Sequence, residues 1–355
     1  MTKPMLNMSI TNNDTPDKIL IIAPAWIGDM IIAQSLYALL KQQKTNSQID
    51  ILAPNSSLAL ASRMPQITNL FEQPLGHGQL GLATRYKLSK RLRQQQYTQA
   101  IVLPNSFKSA LIPCWAKIHK RTGWLGEQRQ LLLNDVRRLN KEKYPALVQR
   151  YAALALPKRA PLPNSLADPQ LQTSAENIQA CLNKFNITED KRPILALCPG
   201  AAYGSAKRWP TEHFAAVAQH FLAKDWQVWL FLARSEEEIA TQIQTLTAQR
   251  CVNLAGKTNL LDAIDLLSLA DLSITNDSGL MHIAAAVNVP IVALYGSTSP
   301  IYTPPLTNKA RILQLNYDCI PCFQRECPLT DKEYLRCLKN LTPTMAISAA
   351  TELLK

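Results

Sequence analysis

Ile19-Leu20-Ile21-Ile22-Ala23-Pro24-Ala25-Trp26-Ile27-Gly28-Asp29-Met30-Ile31-Ile32 is the stretch that decides the fold. A short β-branched run, a turn containing glycine and a second apolar run predict strand, loop and helix. Gly28 reads as the residue that lets the backbone turn tightly. Asp29 then stands at or near the start of the helix. A carboxylate at the carboxyl end of a parallel strand faces the crevice where open α/β sheets bind ligands. Asp29 is therefore a candidate catalytic base. The competing reading is a helix N-cap that satisfies first-turn amides.

The same alternation continues outward. Strands are expected at 18–23, 48–53 and 98–103, with helices at 30–43, 56–63, 83–95 and 107–117. A long, mostly helical stretch should run from 125 to 157. Pro157, Pro161, Pro163 and Pro169 mark a linker at 157–174. After a helix at 174–186 the pattern restarts, with strands at 193–198, 226–232, 251–254, 271–275 and 290–294. Helices are expected between them at 211–224, 235–248, 259–269 and 279–287. This order predicts an α/β fold: two doubly wound, Rossmann-like domains facing a central cleft. The expected division is a disordered extension (1–17), a first domain (18–170), a second domain (171–342) and a C-terminal helix (343–355) packing back on the first domain.

A chain of 355 residues exceeds what one core usually supports. Its 47% hydrophobic and 18% charged residues are those of a globular protein. No apolar stretch approaches the roughly 20 residues that span a bilayer. The first 18 residues lack the apolar core of a signal peptide, so a cytoplasmic location is expected. Eight cysteines there should be reduced thiols. Charge is uneven. Residues 1–165 hold 22 Lys/Arg against 8 Asp/Glu, whereas 166–355 hold 16 against 18. The cations cluster at Arg85–Arg93, Lys117–Arg121 and Arg137–Lys143. Leu88 and Leu92 make 83–95 a basic amphipathic helix. An anionic partner is implied. Nucleic acid is not expected, because no zinc finger, aromatic RNA-binding signature or basic zipper is present.

Two loops at strand ends carry candidate chemistry. Pro199-Gly200-Ala201-Ala202-Tyr203-Gly204-Ser205-Ala206-Lys207-Arg208-Trp209-Pro210 offers glycine amides, the Ser205 hydroxyl and the Lys207 charge ahead of a helix. That suits a diphosphate, or is an ordinary βα loop. Thr275-Asn276-Asp277-Ser278-Gly279-Leu280-Met281-His282 can present the amides of Ser278 and Gly279 at a helix start. Asp277 would repel phosphate, so it orients neighbours, accepts from a sugar hydroxyl or caps the helix. His282 lies one turn on from Ser278. Glu236, after the strand at 226–232, is placed to accept from ribose hydroxyls or to sit in a helix first turn. Cys319, Cys322, Cys327 and Cys337 form a thiol cluster whose spacing matches no usual zinc pattern. It leaves metal and disulfide both open, and no metal is expected to be required.

Five segments in order then carry a resemblance. They are Trp26–Met30, Pro104-Asn105-Ser106-Phe107-Lys108-Ser109, Arg121-Thr122-Gly123-Trp124, Lys207-Arg208-Trp209-Pro210 and Asn276–His282. Together they resemble the ADP-heptose–lipopolysaccharide heptosyltransferases (glycosyltransferase family 9), the type II members in particular through Asn105–Ser109. The resemblance implies a GT-B fold and inverting transfer of L-glycero-D-manno-heptose from ADP-heptose to the first heptose of the inner core. It implies heptosyl-Kdo2-lipid A as acceptor, peripheral contact with the inner face of the cytoplasmic membrane, and no cofactor. Asp29 would be the base and Lys207 the residue that neutralises the departing diphosphate. Gly200, Ser205, Lys207, Glu236, Asp277, Ser278, Gly279 and His282 would serve the donor. Asn105, Ser106, Lys108 and Arg121 would serve the acceptor. The helix start should keep Asp29 ionised. Acceptor choice of type I or III, or a GT-B nucleotide-sugar epimerase, are the other readings.

Overall fold

The computed structural model describes residues 17–76, 78–188 and 190–355. The expected N-terminal extension lies outside the described residues as far as position 16. Asp17 belongs to the fold: its carbonyl accepts from the Gln48 amide at 2.8 Å and its carboxylate pairs with Lys44.

The first domain runs β1 (Lys18–Ile22), α1 (Ile27–Ile32), α2 (Gln34–Gln43), β2 (Gln48–Ala53), α3 (Asn55–Ala61), β3 (Asn69–Glu72), α4 (Leu82–Arg93), β4 (Gln99–Val102), α5 (Phe107–Trp115), β5 (Lys120–Trp124), β6 (Asp135–Arg137) and α6 (Leu147–Ala155). The second runs α7 (Ala175–Lys184), β7 (Ile194–Cys198), α8 (Thr211–Leu222), β8 (Gln227–Leu230), α9 (Glu237–Leu246), β9 (Val252–Asn253), α10 (Leu260–Leu267), β10 (Leu272–Asn276), α11 (Gly279–Ala286), β11 (Ile291–Leu294), β12 (Ala310–Leu313), α12 (Arg336–Lys339) and α13 (Pro343–Leu353).

Each domain holds a six-stranded parallel sheet, β3-β2-β1-β4-β5-β6 and β12-β11-β10-β7-β8-β9. Numbered within its own domain, each sheet has the order 3-2-1-4-5-6. The chain thus winds twice in the same way, without any repeat visible in the sequence. Central strands are buried on both faces, as their continuous apolar runs demand; Ile21 pairs in register with Ile51 on one side and Ile101 on the other. In such sheets the winding reverses beside the first strand, and the crevice there binds ligands. Between β1 and β4 it receives the loops carrying Asp29 and Asn105. Between β7 and β10 it receives those carrying Lys207 and Asp277.

Three expectations change. The 125–157 stretch is mostly irregular, with β6 and α6 as its regular elements beside a single 3-10 turn at Arg129–Leu131; Gly126, Asn134, Asn140 and Pro145 interrupt any helix there. The C-terminal helix α13 packs on α8, β10, β11 and β12 of its own domain rather than crossing to the first; Ala346, Ala349 and Ala350 are buried in the second domain's core. The strands β3, β5, β6 and β12, at the sheet edges or next to one, are not foreseen from the sequence, because strands such as Asn69-Leu70-Phe71-Glu72 carry no apolar run.

The domains meet through α1 against α11 and α3 against α10. Arg63 bridges the second contact, bonding Asp265 at 2.6 Å with both groups largely buried. The basic amphipathic helix is α4, with Leu92 buried and Lys87, Lys90, Arg91 and Arg93 on its outer side. Some clustered cations are consumed internally. Arg85 is buried and donates to the Leu80 carbonyl at 2.7 Å. No helix among the described residues is long and apolar enough to cross a membrane.

Candidate active site

A cleft of about 320 Å³ opens between the two switch points, lined from one side by Trp26, Gly28 and Asp29 and from the other by Lys207, Asp277, Ser278, Gly279 and His282. Tyr203, Thr298, Tyr302 and Phe323 complete its walls.

Asp29 occupies the first turn of α1, but the N-cap is Trp26, which makes no side-chain capping bond. Asp29 is therefore not the cap, and its carboxylate is free to face the cleft. Burial pushes its carboxyl up from the ordinary 3.8 to about 6; the Lys207 charge and the Tyr151 hydroxyl pull it back down, and Asp277 pushes it up. The net shift is upward because desolvation outweighs the favourable charges. At neutral pH the group is a carboxylate with a pKa suited to proton acceptance.

Gly28 has a different purpose from the one its sequence suggested. It does not need a special backbone angle; a Cβ there would lie 2.8 Å from Cδ2 of His282. A Cβ on Gly279 would likewise lie 3.1 Å from Cβ of Ile27. The two glycines let the starts of α1 and α11 approach across the domain boundary.

Lys207 donates to Oδ2 of Asp277 at 2.6 Å and to its carbonyl at 3.3 Å. Asp277 also accepts from Thr298 at 2.6 Å. Of the three sequence readings for Asp277, the orienting one fits: it fixes Lys207 at the mouth of α11. The N-cap of α11 is Ser278, again without a side-chain capping bond. Its Oγ is buried and unpartnered, as is Nδ1 of His282. Burial lowers His282 to about 4, so it is a neutral imidazole in the cleft wall.

The other donor candidates stand behind this wall. Glu236 is buried and its Oε1 accepts from the Ala201 amide at 2.8 Å and from Arg208 at 3.3 Å. Gly200 has no side chain because the Glu236 carboxylate occupies that space. Glu236 thus clamps the 199–201 loop from the end of β8. Ser205 opens a single 3-10 turn that delivers Lys207, and that turn rests on the Arg325 carbonyl through the Ala206 amide at 3.0 Å. The four clustered thiols line a small pocket of about 30 Å³ with Ala206 behind the same loop. All are free, and among the described residues no set of three or more His, Cys, Asp or Glu is arranged to hold a metal ion.

On the acceptor side, Asn105 and Ser106 lie at the carboxyl end of β4, and Lys108 on the first turn of α5 reaches the Gln79 carbonyl at 3.4 Å. Arg121 is not with them. It sits at the amino end of β5, opposite the cleft, and its guanidinium donates to the carbonyls of Leu132 at 2.7 Å and Ile118 at 2.6 Å. The guanidinium that organises this rim is Arg129, fully buried, which donates to Oδ1 of Asn105 at 2.9 Å, to the Trp124 carbonyl and to the Pro104 carbonyl.

Sequence reasoning also missed Tyr151, Tyr302 and Thr298. Tyr151 sits in an apolar helix and reads as core. Thr298 had a usable signal, since Gly296-Ser297-Thr298-Ser299 follows β11 at the carboxyl edge.

Comparison with known proteins agrees with this geometry. The model of glycosyltransferase family 9 (heptosyltransferase) matches residues 85–333. The chain is 47% identical to lipooligosaccharide heptosyltransferase 2 of Haemophilus influenzae, covering 95% of this chain and 99% of the relative. It is 47% identical to lipopolysaccharide heptosyltransferase 2 of Escherichia coli K12 over 84% and 88% of the two chains. The solved structure of E. coli ADP-heptose lipopolysaccharide heptosyltransferase II superposes with a TM-score of 0.84 at 41% identity, over 95% of this chain and 98% of that one. The paired Rossmann-like domains are accordingly those of a GT-B glycosyltransferase, and the chain belongs to glycosyltransferase family 9, the heptosyltransferases.

Proposed function

We propose that this chain is an inverting glycosyltransferase that moves L-glycero-D-manno-heptose from ADP-heptose onto the first heptose of the lipopolysaccharide inner core. The observation that carries the mechanism is the placement of Asp29 and Lys207 on opposite walls of one cleft. The acceptor hydroxyl bonds to the anomeric carbon while its proton passes to Asp29. The bond from that carbon to the β-phosphate oxygen breaks on the opposite face, and the electron pair leaves with ADP. Charge building on the diphosphate meets Lys207 and the amides at the start of α11. The Lys207 ammonium has three N–H donors, and Asp277 takes two. One remains for a phosphate oxygen. With a lysine and a helix start in place, the reaction requires no metal or cofactor.

The acceptor, heptosyl-Kdo2-lipid A, is anionic and lies at a membrane surface. The cation-rich first domain suits it, and α4 with its outward lysines and arginines suits anionic headgroups. The enzyme works in the cytoplasm, peripheral to the inner membrane. Incubation with ADP-heptose and heptosyl-Kdo2-lipid A should release ADP and yield a diheptosylated product of inverted anomeric configuration. No ADP release at saturation would sink the transferase reading. Isomerised ADP-sugar without acceptor would point to an epimerase, and turnover only on Kdo2-lipid A or on an already diheptosylated core to type I or III acceptor choice.

A further inference from the structure

A cavity of about 760 Å³ borders the first domain away from the catalytic cleft. It lies beyond the carboxyl ends of β5 and β6, against α6 and the segment after it. Its walls combine Trp124 and Tyr144, whose rings lie 6.0 Å apart, with Arg138, Lys143, Lys158 and Arg159. The floor is fixed. Arg137 pairs with Asp135 at 2.8 Å and donates to the Ala153 carbonyl at 2.5 Å, and the Trp124 indole donates to the Arg150 carbonyl at 3.1 Å. The four remaining cations have no carboxylate partner among the described residues, and all four are exposed. Trp124 and Tyr144 are nearly buried and Lys143 lies over the Tyr144 ring, so recognition falls to the exposed cations, whose guanidinium forks match carboxylates and phosphates.

Position selects which sugars. Neighbouring strands lie about 4.8 Å apart, so β5 and β6 stand roughly 10–14 Å from β1 and hence from the Asp29 loop. The next units of an oligosaccharide span that gap. The helix α6 links the cavity to the base, because its Tyr151 approaches Asp29 while its Ala153 lines the cavity. We infer that this cavity is an acceptor subsite that holds the carboxylate- or phosphate-bearing sugars next to the reacting one. The inference rests on the transferase reading above.

The test is the double variant Arg138→Gln/Arg159→Gln, assayed with acceptor stripped of its acyl chains. Two charge-assisted contacts are lost, so the acceptor KM should rise about tenfold or more. The change in kcat should stay within about twofold and the KM for ADP-heptose should hold, since neither residue touches the catalytic cleft. With a carboxyl-reduced, dephosphorylated acceptor, variant and parent should have the same KM. An unchanged KM, or an equal rise on the neutral acceptor, overturns the subsite. A difference that emerges only with phosphatidylglycerol vesicles assigns the cations to headgroups and also overturns it. Calorimetric titration of the deacylated glycan keeps the two readings separate. A parent that binds glycan more tightly than the variant but releases no ADP retains the subsite and loses the transferase; an active parent whose variant binds equally loses the subsite alone.

Discussion

The two domains share one winding and bring different chemistry to one cleft. In the first, the switch point holds a carboxylate, Asp29, beside the Tyr151 hydroxyl and on the start of a helix whose cap is a tryptophan. In the second, it holds a lysine locked to an aspartate that a threonine also bonds, beside a helix start that exposes amides. The same backbone geometry thus presents a carboxylate on one side and an ammonium with helix-start amides on the other, the pairing that the proposed transfer uses. A shared topology delivers loops to a crevice, and the side chains on those loops decide what each crevice does.

The largest break in this comparison comes from removing the acceptor of the proton. Asp29→Asn keeps shape and should lower kcat by about 10²–10⁴-fold, the usual contribution of a general base. ADP affinity should hold, because the second domain is untouched. Calorimetry with ADP beside a coupled ADP-release assay checks both. Retained turnover would leave Asp29 as a buried acid without a catalytic task.

The matching change in the second domain should cost slightly less in rate and more in stability. Lys207→Met should lower kcat by about 10²–10³-fold, as the loss of one preorganised electrostatic partner does. It also strands the buried Asp277 carboxylate, with Thr298 as its remaining side-chain partner. Leaving one member of a buried pair typically costs about 3–5 kcal/mol. Thermal unfolding should therefore separate the two variants: Lys207→Met melts well below the parent, and Asp29→Asn does not.

The contact between the domains is the next point to break. Gly28→Ala places a Cβ 2.8 Å from His282 and forces α1 and α11 apart. A shift of under an ångström between base and leaving-group wall should lower kcat by roughly ten- to a hundredfold. Scattering should show each domain still folded. His282→Ala removes the clash, so on that background Gly28→Ala should cost little. Additive losses in this double-mutant cycle would show that the glycine is not a spacer.

This comparison also explains what could be read from the chain. The central strands were legible because they are buried on both faces and carry uninterrupted apolar runs. The switch-point loops were legible because glycine, aspartate and lysine interrupt those runs at strand ends. Gly28 was visible but misassigned: its reason is a histidine 254 positions away, and no local pattern encodes such a contact. Arg121 was named and Arg129 was not, for a related cause. The strand β5 (Lys120–Trp124) was not foreseen, so nothing placed Arg121 at its amino end and Arg129 past its carboxyl end. The shared winding showed in the sequence as a restart of the strand–helix alternation and not as repeated residues, since the constraint on each strand is burial rather than identity.

The smallest effect is the most diagnostic of coupling between the domains. The Asp29 carboxyl stands near 6, above its ordinary 3.8, and Lys207 holds it below where burial alone would put it. The rate should therefore fall on the acid side with an apparent pKa near 6 in kcat/KM. In Lys207→Met that limb should move to higher pH, measurable in the residual activity although the shift is a fraction of a decade to a decade in rate at fixed pH. The stability consequence has the opposite sign from the usual carboxylate. A native pKa above the unfolded one means that Asp29 contributes stability fully below pH ~4 and loses it as the pH rises through 6. Above that, the ionised group is a burden on the fold. Asp29→Asn should then melt higher than the parent at pH 8, with the gap closing toward pH 4. A gap of the same size at both ends would mean that the carboxylate is not desolvated in the cleft. The acid limb at pH 6 would then belong to another group.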